Sequence, residues 1–383
     1  MSTTSTREIS VFEPYLGPEV YDAATRALDG RWLAIGKLSY QFEEELASYL
    51  DLEKHDRQLL TVSSGTAALH LACQLAEVGP GDEVICPSFT YVACHQAISA
   101  TGADVVFCDI EEDSMGLDPG SVRSLIGERT KAIMAVHYAG MPCRIDEIHD
   151  LGREHGLRVI EDAAHAFGSR SEGRMLGTFG DLVCFSFGPV KIITSLEGGA
   201  LVSGNPEDVQ RVRELRLLGV DTDRALRSNN RMWEYDVVRQ GWRYHMSSMQ
   251  ASVGLSQLAM IETFIENRRR YCRYYSQQFE RIPEVVTPAT DFNDLSLFIY
   301  FIRVPDAETR GELIAHMNAR GVQIGIHFQG AHTFSFYRDS RSNGLATTER
   351  ISGQQLTLPL HSFMDEETLE RVVESVVSFF DGR

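Results

Sequence analysis

The chain has 383 residues, 43% of them apolar and 23% charged, the balance of a globular protein with room for more than one core. A formal net charge of −18 argues against a general nucleic-acid or membrane-surface binder, so an anionic ligand needs a local basic pocket. No apolar run reaches membrane-spanning length, and the opening MSTTSTREIS lacks the apolar core of a signal peptide; a cytoplasmic protein is expected.

The opening is read as a polar tail, followed by helical spacing from Glu19 to Leu28. Gly30-Arg31-Trp32-Leu33-Ala34-Ile35-Gly36 then reads as a loop that touches a ligand, or as a tryptophan packed on a neighbouring helix. Tyr40 to Leu50 resumes helical spacing. From residue 58 strands and helices alternate: LLTVS, EVICPS, VVFCDI, KAIMAVHY (after Ser121–Ile126) and LRVIEDA are the strands, and the helices include SSGTAALHLACQLAEV, TYVACHQAISATG and Ile145–His155. Strands this apolar belong to a sheet buried on both faces, which predicts a mostly parallel α/β sheet with ligands at the C-terminal strand ends.

Two further short strands, Cys184–Phe187 and Ala200–Val202, flank Lys191. The stretch from Arg211 to Arg243 reads as a polar surface excursion. Met246 to Tyr275 reads as one long helix with Met249, Val253, Leu255, Leu258, Ile261 and Phe264 on its apolar side. Residues 298–383 read as α+β, with FIYFIRV and VQIGIHF as strands and helices over 308–319 and 365–380. Two domains are expected: a large one over 1–250 with an N-terminal arm, and a small α+β one over 251–383, entered by the long helix from about residue 246. The seven cysteines contain no CxxC pair, and several lie in apolar runs, which suggests reduced core thiols without disulfides or a metal site.

Four places carry chemistry. Ser63-Ser64-Gly65-Thr66 joins a strand end to a helix start, an anion site or a plain helix cap. Glu161-Asp162-Ala163-Ala164-His165 ends an apolar strand, where a carboxylate is costly unless it meets a cation. Tyr91 follows the strand EVIC and could stack on a flat ligand, although core packing is the default for it and for Phe89. Lys191 sits among apolar neighbours, so it either snorkels to water or has its amine tied up in a Schiff base with an aldehyde cofactor.

In this order the pieces resemble the nucleotide-sugar aminotransferase family of the DegT/StrS type, pyridoxal-phosphate (PLP) enzymes of the fold type I aspartate aminotransferase class. The resemblance runs nearly end to end, through GRWLAIG, SSGTAALHLA, PGDEVICPSFTYVA, VHYAGMPC, EDAAHAFGS, GTFGDLVCFSFGPVK, EGGA, MSSMQASVGLSQL, GIHF and LTLPLH. It implies a large domain with a seven-stranded-type, mostly parallel sheet and a homodimer with shared active sites. It implies Lys191 as the lysine that holds the cofactor and moves a proton, Asp162 at the pyridine nitrogen, and His165 near the phenolic oxygen. Ser186, Gly65 and Thr66 match the phosphate cup, and Tyr91 the stacking aromatic. The implied reaction moves an amino group from L-glutamate to a nucleotide-linked keto sugar, at C4 in preference to C3, in deoxyaminosugar biosynthesis. Trp32, Lys37, Arg243 and His327 are candidate substrate contacts.

The sequence departs from the family at Gly241-Trp242-Arg243-Tyr244-His245-Met246, where Arg243 replaces an Asn that reaches the partner's PLP phosphate. A guanidinium can still pair with phosphate there, contact a nucleotide diphosphate, or form an interface salt bridge. The alternatives are a PLP-dependent sugar dehydratase, disfavoured because position 191 is Lys and not His, a cyclitol aminotransferase, and a non-catalytic protein of the same fold.

Overall fold

A computed structural model of the chain describes residues 8–221 and 235–382. The central sheet has seven strands: β1 (Gln58–Val62), β2 (Glu83–Pro87), β3 (Asp104–Cys108), β4 (Thr130–Val136), β5 (Arg158–Asp162), β8 (Leu182–Ser186) and β9 (Gly199–Ser203), with the small hairpin β6 (Arg170–Ser171) and β7 (Arg174–Met175) set apart. Their order is β1-β9-β8-β5-β4-β2-β3. All neighbouring pairs are parallel except those of β9, which runs antiparallel to both β1 and β8. The predicted mostly parallel sheet is therefore present, and its strands are nearly all buried, as two covered faces require.

Helices α1 (Pro18–Asp29), α2 (Lys37–Tyr49), α3 (Gly65–Leu75), α4 (Ala93–Ser99), α5 (Pro119–Leu125), α6 (Ile145–His155) and α7 (Pro206–Leu215) accompany the sheet. The register aligns the C-terminal ends that matter: Val136 of β4 faces Asp162 of β5, which faces Cys184 of β8. Reversal of β9 places Gly199 between Val62 and Ser186. A side chain on Gly199 would lie 2.6 Å from the Ser64 carbonyl, so glycine lets this strand abut the β1–α3 turn.

Three expectations are corrected. The long helix is two, α8 (Ser248–Leu258) and α9 (Ile261–Phe279), broken where Met260 leaves helical geometry at φ −110°, ψ 3°. The halves have different partners. α8 packs on α1 and α2 through small residues, Ala251, Ser252 and Gly254, with Phe42 against Gly254. α9 buries Phe264, Arg268 and Tyr271, and Arg268 donates to the carbonyls of Leu297 and Leu360. Met249, Leu255 and Leu258, read as the apolar face, are only partly buried.

VQIGIHF is not a regular strand; it makes isolated bridges, Ile9 with Val322 and Gly325 with Thr357. The partner of β10 (Tyr300–Arg303) is instead β11 (Gln355–Leu358), antiparallel to it. Helices α10 (Ala307–Ala319), α11 (Ala346–Gln354) and α12 (Glu366–Asp381) complete this part. The expected surface excursion begins inside α7, and Arg216 is buried, donating to the Thr61 carbonyl and pairing with Glu43. Residues 235–240 are exposed, and 222–234 lie outside the described residues. One apolar cluster runs from Phe42 and Phe185 through Phe264 to Tyr300 and Val372.

Candidate active site

A cleft of about 450 Å³ opens at the C-terminal edge of the sheet. It is lined by Gly65, Thr66, Tyr91, Asp162, His165, Ser186, Lys191 and His327, so eight residues singled out in the sequence meet there.

The β1–α3 turn forms one end. Ser64 is in extended geometry and its hydroxyl accepts the Ala67 N–H at 3.1 Å, capping α3. The N–H groups of Gly65 and Thr66, in the same first turn, have no acceptor within the helix. A side chain on Gly65 would lie 2.7 Å from Ser186 Cβ, so the end of β8 sits directly against this turn. Open N–H groups, a positive helix end and nearby hydroxyls are the chemistry of an anion cup.

At the middle of the sheet the buried Asp162 ends β5. Its Oδ1 accepts the Ala164 N–H at 3.0 Å, and its Oδ2 accepts the Cys94 thiol at 2.8 Å. The preceding residue, Glu161, is fully buried and points elsewhere, sharing 3.0 Å hydrogen bonds with His137 and His149. Alternation along β5 thus separates a structural carboxylate from a cleft carboxylate.

Lys191 enters from the β8–β9 connection. Its Nζ lies 4.2 Å from the Phe298 ring centroid and makes no hydrogen bond among the described residues. Burial lowers its pKa to about 8, with Asp162 and Cys94 partly opposing that fall. The amine is therefore a readier base and nucleophile near neutrality than an ordinary lysine. Snorkelling, the bland reading, does not describe this placement.

The remaining wall is aromatic and imidazole. His165 is buried against Phe298 at 4.6 Å and stacks on Phe328 at 5.9 Å. Its Nδ1 has no hydrogen-bond partner among the described residues. Burial and then the Lys191 and His327 charges push its pKa well down. His327 shares a 3.0 Å hydrogen bond with Thr357, and burial followed by Lys191 lowers its pKa to about 4. Both imidazoles are neutral at pH 7. Phe89 is core, whereas Tyr91 is 55% exposed and lies at the cleft, the opposite of what core packing predicts for it.

Trp32, Lys37 and Arg243 do not line this cleft. Trp32 is exposed and donates its indole N–H to the Ile35 carbonyl, and Lys37 begins α2 on the surface. Arg243 is exposed, beside a Tyr244 whose carbonyl accepts the Ser63 N–H at 2.6 Å. Sequence reasoning missed Phe12, Phe298, Phe328, Thr90, Cys94 and Glu197. Glu197, Thr90 and Phe328 carried a signal, since they stand in the family-like runs EGGA, PGDEVICPSFTYVA and GIHF.

These residues fit the implied pyridoxal phosphate. The cup suits its phosphate and Tyr91 is free to cover its ring. The unpartnered Nδ1 of His165 needs a polar partner that the phenolic oxygen would supply, and the buried carboxylate of Asp162 can pair with a protonated ring nitrogen.

The model of the DegT/DnrJ/EryC1/StrS aminotransferase family matches residues 14–377. Among similar proteins is dTDP-4-dehydro-2,3,6-trideoxy-D-glucose 4-aminotransferase of Saccharopolyspora spinosa, 33% identical over 372 residues, covering 96% of this chain and 95% of the other. The structure superposes on the aminotransferase TlmJ of Streptoalloteichus hindustanus with a TM-score of 0.90 at 32% identity, over 98% of this chain and 99% of that one. On Spr1654 of Streptococcus pneumoniae, solved in its PLP form, the TM-score is 0.89 at 25% identity, over 98% and 99% of the two chains. With the family model and the fold in agreement over nearly its whole length, the chain belongs to the DegT/DnrJ/EryC1/StrS aminotransferase family and is a pyridoxal-phosphate-dependent sugar aminotransferase.

Proposed function

We propose that this enzyme moves an amino group from L-glutamate to the ketone of a nucleotide-linked sugar, at C4 in preference to C3, for deoxyaminosugar biosynthesis. The observation that carries this reading is Lys191, whose amine has a pKa of about 8 in a cleft that also holds Asp162 and the Gly65–Thr66 cup. The C4 preference draws support from the 33%-identical relative, a 4-aminotransferase.

Pyridoxal phosphate, when bound, supplies the electron sink and carries the amino group between donor and acceptor. Lys191 Nζ attaches it and takes up and returns a proton at neutral pH. Asp162 would pair with its protonated ring nitrogen, and His165 would hydrogen-bond its phenolic oxygen. Ser186 and the first turn of α3 would hold its phosphate, and Tyr91 would cover its ring.

His327, neutral and steadied by Thr357, is placed to hydrogen-bond the sugar. A division at residue 250 would give the cup, carboxylate and amine to the large domain, and Phe298, His327 and Phe328 to the small one. The cleft would then lie between domains. Trp32, Lys37 and Arg243, exposed and away from this cleft, suit contacts with the substrate or cofactor phosphate in a second subunit of a homodimer. A screen of nucleotide-linked keto sugars with glutamate tests the reading. It predicts an aminated sugar nucleotide and release of 2-oxoglutarate, and a deoxygenated product would instead support the dehydratase.

A further inference from the structure

Oδ2 of Asp162 accepts a hydrogen bond from the buried thiol of Cys94, the second residue of α4, at 2.8 Å. Oδ1 is already taken by the Ala164 N–H. Both oxygens of the carboxylate are thus pinned from inside the protein, one by backbone and one by a side chain. Cys94 itself is fixed: it is fully buried, its backbone N–H reaches the Tyr91 carbonyl, and Thr90 Oγ1 lies 3.9 Å from its sulfur. Its thiol keeps its proton, because the neighbouring Cys86, burial and the Asp162 charge all push its pKa well up. The same short segment therefore carries Tyr91 at the cleft and the donor that sets the angle of the carboxylate.

We infer that Cys94 is a positioning residue of the aminotransferase, its thiol proton orienting Asp162 and limiting how strongly that carboxylate draws the ring-nitrogen proton of the cofactor. This rests on the reading that Asp162 faces the ring nitrogen. A carboxylate that loses a donor becomes a stronger base and is freer to turn. It then takes a larger share of the ring proton, the ring withdraws fewer electrons, and the lysine-bound cofactor holds its own proton to higher pH. A thiol is a weak donor, so this chain sets the balance more gently than a hydroxyl would.

The test uses the holoenzyme and three variants, Cys94→Ala, Cys94→Ser and Asp162→Asn. Each is read by the pH midpoint of the bound cofactor's absorbance and by the affinity of the apoenzyme for pyridoxal phosphate. Cys94→Ala is expected to move the midpoint to higher pH and to weaken cofactor binding by roughly tenfold, the scale of one hydrogen bond to a charged group. Cys94→Ser, which supplies a stronger donor, is expected to bring the midpoint to the wild-type value or below it and to recover cofactor binding. A purely structural thiol would lower thermal stability and leave the midpoint in place, and that result overturns the proposal. So does a Cys94→Ser enzyme that behaves like Cys94→Ala. If Asp162→Asn leaves the spectrum unmoved, the underlying assignment of Asp162 fails instead, whatever Cys94→Ala does.

Discussion

Lys191 Nζ lies 4.2 Å from the centre of the Phe298 ring, an aromatic from a distant part of the chain that closes the cleft over the amine. The ring shields one side of this partly buried amine, and desolvation is the largest cause of the lowered lysine pKa of about 8. Phe298→Ala is expected to move that pKa back towards 10.5, since readmitted water outweighs the lost cation–π attraction. The rate at which apoprotein attaches pyridoxal phosphate, followed against pH, reads the shift. An unchanged midpoint would mean that Phe298 does not set the environment of the amine.

The same lysine has a signature in stability. Its folded pKa lies below the unfolded value of 10.5, so the unfolded chain binds the proton more tightly. The charged amine costs stability below about pH 8, and the cost fades as pH rises from 8 to 10.5. Lys191→Met apoprotein should therefore melt higher than wild type at pH 7, with the gap closing across that window. Lys191→Ala should lose turnover by orders of magnitude and give no borohydride-trapped adduct.

Glu161 is the structural counterpart of Asp162. Burial alone would raise its pKa, but hydrogen bonds from His137 and His149 hold it at about 2. Its contribution is present above the ordinary value of 4.5 and is lost as pH falls towards 2. His137→Ala leaves a buried carboxylate half-partnered and should cost about 3 kcal/mol in urea unfolding. The cofactor spectrum of the folded fraction should not change.

His327 is already neutral, with a pKa of about 4, so lowering the pH from 8 to 5 should not remove its hydrogen bond to the sugar. His327→Ala should lower kcat/KM for the keto sugar by roughly tenfold or more, the worth of a polar contact left unmade. The half-reaction with glutamate should be spared. Equal losses in both halves would move His327 out of sugar recognition.

Gly65→Ala puts a methyl group 2.7 Å from Ser186 Cβ, and the cup must open to accept it. Overpacking of this kind costs about 1–3 kcal/mol, and here it falls on the anion site. Cofactor affinity, measured by fluorescence quenching, should drop more than global stability does.

Local sequence was enough where chemistry and strand periodicity coincide. Buried strands such as Val84–Cys86 and Ile133–Val136 are apolar throughout, and Asp162 and Lys191 interrupt apolar runs where an unpaired charge is costly. It was not enough where partners are far apart in the chain. The break at Met260 comes from α8 and α9 packing on different helices, which no pattern within residues 246–275 encodes. β11 was overlooked because VQIGIHF has the richer strand composition, yet Gln355–Leu358 is the segment that pairs with β10. Phe12 and Phe298 read as ordinary core or tail residues until folding sets them around Lys191 and His165. Cys94 looked like one more reduced core thiol, and only the carboxylate beside it gives it a role.

The most direct test of the account supplies the enzyme with L-glutamate carrying an isotopically labelled amino nitrogen, together with a nucleotide-linked 4-keto sugar, and weighs the products by mass spectrometry. The account predicts labelled nitrogen on the sugar nucleotide with matching release of 2-oxoglutarate, both abolished in Lys191→Ala. A sugar nucleotide that loses oxygen without gaining nitrogen, or labelled product formed at undiminished rate by Lys191→Ala, would contradict it.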